Sequence, residues 1–178
     1  MKSRHLKGTI VLLLVFCLQL LPEASSDAEV IERIVAIVND EIILLSEFRS
    51  ALENARESDS TLPGEVVLGR MVDNMLLLNE AKRYRISAID KGKKGDDGNR
   101  ALIQDFIDRR IKALIHIPYE ELERYYQLNR DHYGGRELID VRDEIESVLV
   151  EEEMQTRIKE FIEELRKKAY IRIQLNEP

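Results

Sequence analysis

The sequence predicts a mainly α-helical domain that is closed by a small β-sheet. Three observations support this fold class. Apolar residues recur at helical spacing over most of the chain, two short β-branched runs lie at 33–45, and residues 170–175 alternate apolar and polar side chains. Because an isolated strand leaves its backbone groups unpaired, we expect the N-terminal hairpin and the C-terminal strand to meet in one sheet.

The hairpin is the first predicted element. Arg33–Val38 is a nearly continuous apolar run rich in β-branched residues, residues 39–40 are a turn-prone Asn-Asp pair, and Ile42–Leu45 is a second apolar run. Arg33–Val38 is apolar on both faces, which predicts that it is the middle strand. Ser46 is the predicted N-cap of a helix over 46–57.

Helices are predicted for most of the chain after the hairpin. Apolar spacing indicates a helix from about 65 to 84, a Gly/Lys/Asp-rich loop at 91–98 and a second helix at about 99–115. Proline is accepted in the first turn of a helix, so Pro118 is expected to open a short helix that ends near Leu128.

The longest predicted helix spans about 137–168. Its apolar stripe is interrupted by polar residues near Glu152 and Gln155. The strict alternation at 170–175 then predicts a half-buried strand. Periodicity shows that these stripes exist and leaves open which of them face a core and which face a groove.

Residues 1–26 are predicted to be an export signal rather than part of the fold. A basic start precedes an apolar run at 9–21, and small residues allow cleavage between Ser26 and Asp27. The competing interpretation, a retained membrane anchor, would need about 20 apolar residues. The sequence therefore predicts a secreted chain of residues 27–178 with no stable membrane insertion after cleavage.

Composition and charge exclude several classes of function. The net charge is −7, so an electrostatic grip on nucleic acid is not expected. The one cysteine, Cys17, lies in the predicted signal, and His116 and His132 have no further His or Cys beside them, so we expect no metal site. No nucleotide-binding or nucleophile motif is present, and we expect neither an enzyme nor a cofactor.

Four segments, in order, resemble parts of the SurA-type periplasmic chaperones. They are IERIVAIVNDEIILLSEF (31–48), LGRMVDNMLLLNEAKRYRIS (68–87), IPYEELERYYQLNRDHYGG (117–135) and the run from Glu137 to Ile173. The resemblance implies a single SurA N-terminal-like domain at 27–178, located in the periplasm. It also implies binding of unfolded or outer-membrane-bound client polypeptides without ATP.

The sequence departs from this family pattern in two places. Many members carry a parvulin prolyl-isomerase domain before the long helix, where this chain has only a short linker ending in Gly134-Gly135. Members usually have additional helices where this chain has the short charged loop 88–98. The resemblance therefore implies a chaperone core with a smaller groove and without isomerase activity.

Five residues are candidates for contact with client polypeptides. They are Met71, Met75, Phe106, Tyr125 and Tyr126. Methionine and tyrosine adapt to varied apolar partners, although simple packing in a core explains the same spacing. An alternative to the chaperone is an envelope adaptor that binds one specific folded partner. Another is an orphan subunit stabilised by a separate isomerase or by self-association, and the sequence leaves a homo-oligomer open.

Overall fold

The computed structural model describes residues 32–84 and 95–175 of the chain. The predicted export signal, its cleavage site at Ser26 and Asp27, and residues 85–94 of the chain lie outside these ranges. The described part is mainly helical and contains a small three-stranded antiparallel sheet. This confirms the coarse fold class that the sequence predicts.

The described elements are numbered in chain order. They are β1 (Ile34–Val38), β2 (Glu41–Leu44), α1 (Leu45–Ser58), α2 (Gly64–Arg83), α3 (Asp96–Arg110), α4 (Tyr119–Leu128), α5 (Leu138–Lys168) and β3 (Ile171–Ile173). One turn of 3₁₀-helix, Lys112–Leu114, follows α3.

The sheet has the strand order β2-β1-β3, with β1 in the middle. The hairpin pairs Val38 with Glu41, and its two-residue turn holds Asn39 at φ 53°, a left-handed conformation that Asn tolerates. On the other side, Ala36 pairs with Ile173. The sheet therefore joins segments from near both ends of the described chain.

The ladder between β1 and β3 is longer than the three residues of the strand itself. The Asn39 N–H donates to the carbonyl of Tyr170, and the Gln174 N–H donates to the carbonyl of Val35, both at 2.8 Å. The Tyr170 N–H in turn donates to Asn39 Oδ1 at 2.9 Å. Hydrogen bonding thus covers most of the strand predicted at 170–175.

The buried side chains form three clusters. The sheet cluster lies between the sheet, α1 and α2, and contains Val35, Ala36, Val38, Ile43, Phe48, Val67, Leu68, Val72 and Leu76. The middle cluster joins α2, α3 and α5, and contains Leu77, Ala81, Phe106, Ile107, Ile111 and Met154. The hairpin cluster joins α4 to the N-terminal half of α5, and contains Ile117, Leu122, Tyr126, Tyr133, Val141, Ile145 and Leu149.

Helix α5 links two of these clusters. It has 31 residues and is therefore about 46 Å long. Near its C-terminal end, Arg166 forms a clamp to α2: its Nε donates to Asp73 Oδ1 at 2.6 Å and its Nη2 donates to the carbonyl of Gly69 at 3.0 Å. These bonds link α2 to α5 in addition to the apolar contacts between the two helices.

Two predicted helix starts were wrong. Ser46 is not an N-cap, because α1 already begins at Leu45 and the Ser46 N–H donates to Glu32 Oε1 at 3.0 Å. The predicted loop 91–98 overlaps α3, which begins at Asp96 rather than at 99. Negative side chains in the first turn interact favourably with the positive end of the helix dipole, so Asp96 and Asp97 stabilise this earlier start.

In residues 32–84 and 95–175, no helix combines the length and the apolar character that crossing a membrane would take.

Candidate functional site

An open groove of about 550 Å³ lies between α2, α3 and α5. Its floor is apolar and continuous with the middle cluster. The floor residues are Leu77, Ile103, Ile107, Met154, Ile158 and Ile162. This volume falls in the range of about 300–1,000 Å³ that is usual for ligand sites.

The helices position the floor through their spacing. On α5, Met154, Ile158 and Ile162 recur every four residues and therefore lie along one stripe of the helix. Ile103 and Ile107 make the same one-turn repeat on α3. The groove is thus lined by one apolar row from α3 and one from α5.

The rim of the groove is polar and carries charges of both signs. Arg70 and Lys112 are its exposed cations, and Glu151 is an exposed anion whose carboxylate accepts a hydrogen bond from Gln155 at 2.8 Å. Asp73 also lines the groove, where it is held by the clamp. Because the rim carries both cations and anions, it favours no strongly charged ligand, and the apolar floor adds a surface for apolar side chains.

The shifted pKa values belong to groups outside the groove. Hydrogen bonds from Ser46 lower the pKa of Glu32, and hydrogen bonds from Thr61 lower the pKa of Asp59. Burial raises the pKa of Tyr133. None of these three side chains lines the groove, so they give no support to acid–base chemistry there.

Metal binding has no support in the described ranges. Residues 32–84 and 95–175 contain no group of three or more His, Cys, Asp or Glu side chains that could hold a metal ion. The apolar floor of the groove offers a surface for contact with apolar side chains.

The structure places Met71 and Met75 away from the groove. Both side chains are half-buried and pack against the sheet cluster. The groove face of α2 instead carries Asn74 and Leu77. Their surroundings match the core-packing interpretation of this methionine pair.

The three aromatic candidates lie in two different clusters. Phe106 is 1% exposed in the middle cluster, with the rings of Tyr84 and Phe161 each 5.8 Å away. Tyr126 is buried in the hairpin cluster and Tyr125 is half-buried against it. The five candidates of the sequence analysis are therefore not brought together on one surface.

The sequence patterns do not single out the groove residues. They place Ile107, Ile158 and Ile162 in core stripes. The one sequence feature that points to the groove is the polar break in the apolar stripe of α5. Gln155, at that break, lies on the groove rim. A polar interruption in a long apolar stripe marks the point at which the helix passes from one cluster to the next.

No protein-family model matches this chain, and a search of curated proteins gives no match.

Proposed function

We propose that this protein is a periplasmic, SurA-like chaperone core that binds unfolded client polypeptides without ATP and without isomerase activity. The observation that carries the proposal is the open groove between α2, α3 and α5, with its apolar floor and its rim of mixed charge. Such a surface fits apolar side chains of an extended chain without demanding one sequence.

The size of the groove favours weak and reversible binding. An aromatic side chain buries about 150–250 Å², which at about 25 cal/mol per Å² is worth roughly 4–6 kcal/mol before costs are subtracted. Association costs about 4–15 kcal/mol in lost freedom. A groove that takes a few side chains therefore holds a client only loosely, as a carrier requires.

The charge of the chain supports the same role. The full chain has a net charge of −7, and removal of the predicted signal, with its three Lys/Arg and one Glu, makes it −9. This negative charge disfavours self-association and keeps a complex with an apolar client soluble. The predicted export signal supports location in the periplasm, and the four segments that resemble SurA-type chaperones support the class of client.

The linker between α4 and α5 supports a core without an inserted domain. The Tyr126 hydroxyl donates to the carbonyl of Arg136 at 2.7 Å, and the Tyr126 and Tyr133 rings stack at 6.1 Å. Gly134 and Gly135 take positive φ values of 60° and 82°. These contacts close the linker on itself at the place where the resemblance would put a parvulin domain.

The proposal is tested by aggregation of a denatured outer-membrane β-barrel protein on dilution, followed by light scattering. The protein is purified after expression of the whole gene and added in stoichiometric amount. We expect aggregation to be suppressed, and a parallel prolyl-peptide assay to show no isomerisation. A well-folded sample that suppresses nothing refutes the chaperone function, and capture of one folded envelope protein would then favour the adaptor.

A matched pair of variants locates the activity. Ile158→Gln places a polar group on the groove floor and is expected to weaken client binding by about 1 kcal/mol, or about fivefold. Ile139→Gln makes the same change at an exposed position of α5, and Ile139 does not line the groove. Equal losses in both variants would remove the groove from the proposal, with circular dichroism verifying that both remain folded.

A further inference from the structure

We propose that the free edge of β3, residues 171–175, is a second polypeptide-binding site, which adds an extended amphipathic strand with an acidic residue to the sheet. This site goes beyond the groove of the proposed function, because it binds through backbone hydrogen bonds. It also names the kind of segment that is bound: one with apolar residues at every second position.

The backbone of this edge is ready for a partner strand. Tyr170, Arg172 and Gln174 face β1, as the bonds to Asn39 and Val35 show. Alternation then turns the N–H and C=O groups of Ile171, Ile173 and Leu175 away from β1. Among the described residues, no strand lies on that side of β3, and no hydrogen bond of these three residues to another part of the chain is found.

The side chains of the edge favour an apolar neighbour on one face. Ile173 pairs with Ala36, which is fully buried, so Ile173 lies on the face of the sheet that covers the core. Its own side chain is nevertheless 56% exposed, because β3 is the last strand. A strand added beside β3 would cover Ile173 with an apolar residue and extend the core face by one strand.

The opposite face favours an acidic neighbour. The Arg172 side chain is exposed there and has no carboxylate partner in the described part of the chain. A strand bound along the edge places one residue directly beside Arg172, and an opposite charge at that position stabilises the pair of strands. The chemistry of the site therefore selects an apolar-alternating strand with Asp or Glu between the apolar positions.

The same charge disfavours a second copy of this chain as the occupant. An antiparallel pair of β3 strands centred on Ile173 would place the two Arg172 side chains diagonally across one face, within about 7–8 Å. Two copies would also bring together two chains that both carry a net negative charge. Charged side chains on an edge strand are a usual protection against self-pairing, and here the charge also sets the preference for the partner.

The test uses a synthetic peptide that alternates Val with Thr and has one Asp at its centre, together with the same peptide carrying Lys in place of Asp. Amide hydrogen exchange of the protein, purified after expression of the whole gene, is followed by NMR. We expect the Asp peptide to slow exchange at Ile171, Ile173 and Leu175, since Arg172 and Gln174 are already bonded to β1. The Lys peptide is expected to bind at least about fivefold more weakly, and Arg172→Glu to reverse this order.

Two variants of Ile173 separate the contribution of its backbone N–H to peptide binding from that of its side chain. Ile173→Pro removes an N–H that points away from β1 and leaves the inner ladder intact, and it is expected to weaken peptide binding about fivefold. Ile173→Ala keeps the N–H and serves as its control for the loss of the side chain. If Ile173→Pro does not fold, a peptide N-methylated on its bonding side is expected to show the same loss on the unchanged protein.

The outcomes distinguish this site from the groove. Ile158→Gln is expected to reduce suppression of aggregation and to leave peptide binding at the β3 edge unchanged, so failure of the chaperone function would leave the edge result standing. The inference is overturned if a saturating peptide protects none of the three amides, or if Asp and Lys peptides bind equally. Protection that appears without peptide and grows with protein concentration would also overturn it, because a second copy would then occupy the edge.

Discussion

Replacing Arg166 by Ala removes the clamp between α2 and α5. The guanidinium donates two hydrogen bonds, one to the carboxylate of Asp73 at 2.6 Å and one to the carbonyl of Gly69 at 3.0 Å. These residues lie more than 90 positions away from Arg166 in the sequence. The perturbation therefore tests a tertiary contact and leaves the local hydrogen bonds of both helices in place.

The expected loss follows from the exposure of the pair. A hydrogen bond to a charged group contributes about 1.5–3 kcal/mol, whereas fully exposed pairs contribute about 0.2–1 kcal/mol. The Arg166 and Asp73 side chains are 35% and 27% exposed, so water screens part of the interaction and can solvate Asp73 after the change. We expect Arg166→Ala to lower the free energy of unfolding by about 1–2 kcal/mol.

Urea denaturation measures this loss, with Arg124→Ala as a matched control. Arg124 pairs with Glu121 within α4 at 3.7 Å, and its side chain is 69% exposed, so its removal is expected to cost under about 0.5 kcal/mol. Arg166→Lys keeps the charge but loses the paired N–H donors of the guanidinium, so its loss of unfolding free energy should lie between those of the two Ala variants. A loss in Arg166→Ala no greater than in the control refutes the argument that the clamp holds the helices together.

Three further predictions concern single positions. Gly69→Ala should raise the free energy of unfolding by about 0.5–1 kcal/mol in urea titrations, because Gly69 lies inside α2 and the nearest atom to an added Cβ is 3.8 Å away; a destabilised variant would show that α2 and α5 need closer contact. Tyr126→Phe should lower the same quantity by about 1 kcal/mol through loss of the bond to Arg136, and an unchanged urea midpoint would contradict that bond. The pKa of Glu32 is lowered in the folded protein, so its contribution to stability is full above the unfolded value near 4.5 and is lost as pH falls through the lower folded value. Glu32→Gln should therefore make the acid side of a plot of Tm against pH flatter. A plot identical to that of the unchanged protein would refute this prediction.

Local sequence patterns were sufficient for most elements and insufficient at their starts. The Asn-Asp turn and the α5 stripe depend on neighbours within a few residues, so they were visible in the sequence. At the start of α1, the Leu44 N–H donates to Glu47 locally, but the Ser46 N–H donates to the Glu32 carboxylate, 14 positions away in the sequence. The start of α3 was missed because Gly and Asp are common in loops, although Asp is also favoured in a first helical turn.

The groove could not be predicted because it depends on how three helices pack. Periodicity marks Ile107, Ile158 and Ile162 as apolar stripe residues, but a core position and a groove position have the same spacing. The clamp of Arg166 to Asp73 links α2 to α5, and no local pattern relates residues so distant in sequence. For the same reason Phe106, a candidate for client contact, was found in the interior.

The pairing of β1 with β3 also bears on the order of events during folding. Ala36 and Ile173 are neighbours in the sheet although more than 130 residues separate them in the chain. The middle strand β1 therefore keeps one free edge until β3, from the other end of the described chain, pairs with it. Contacts between residues so distant in sequence form slowly, because a large loop must close first. The sheet is consequently completed late in folding, whereas α4 and the first half of α5 are close in the sequence and can pack against each other early.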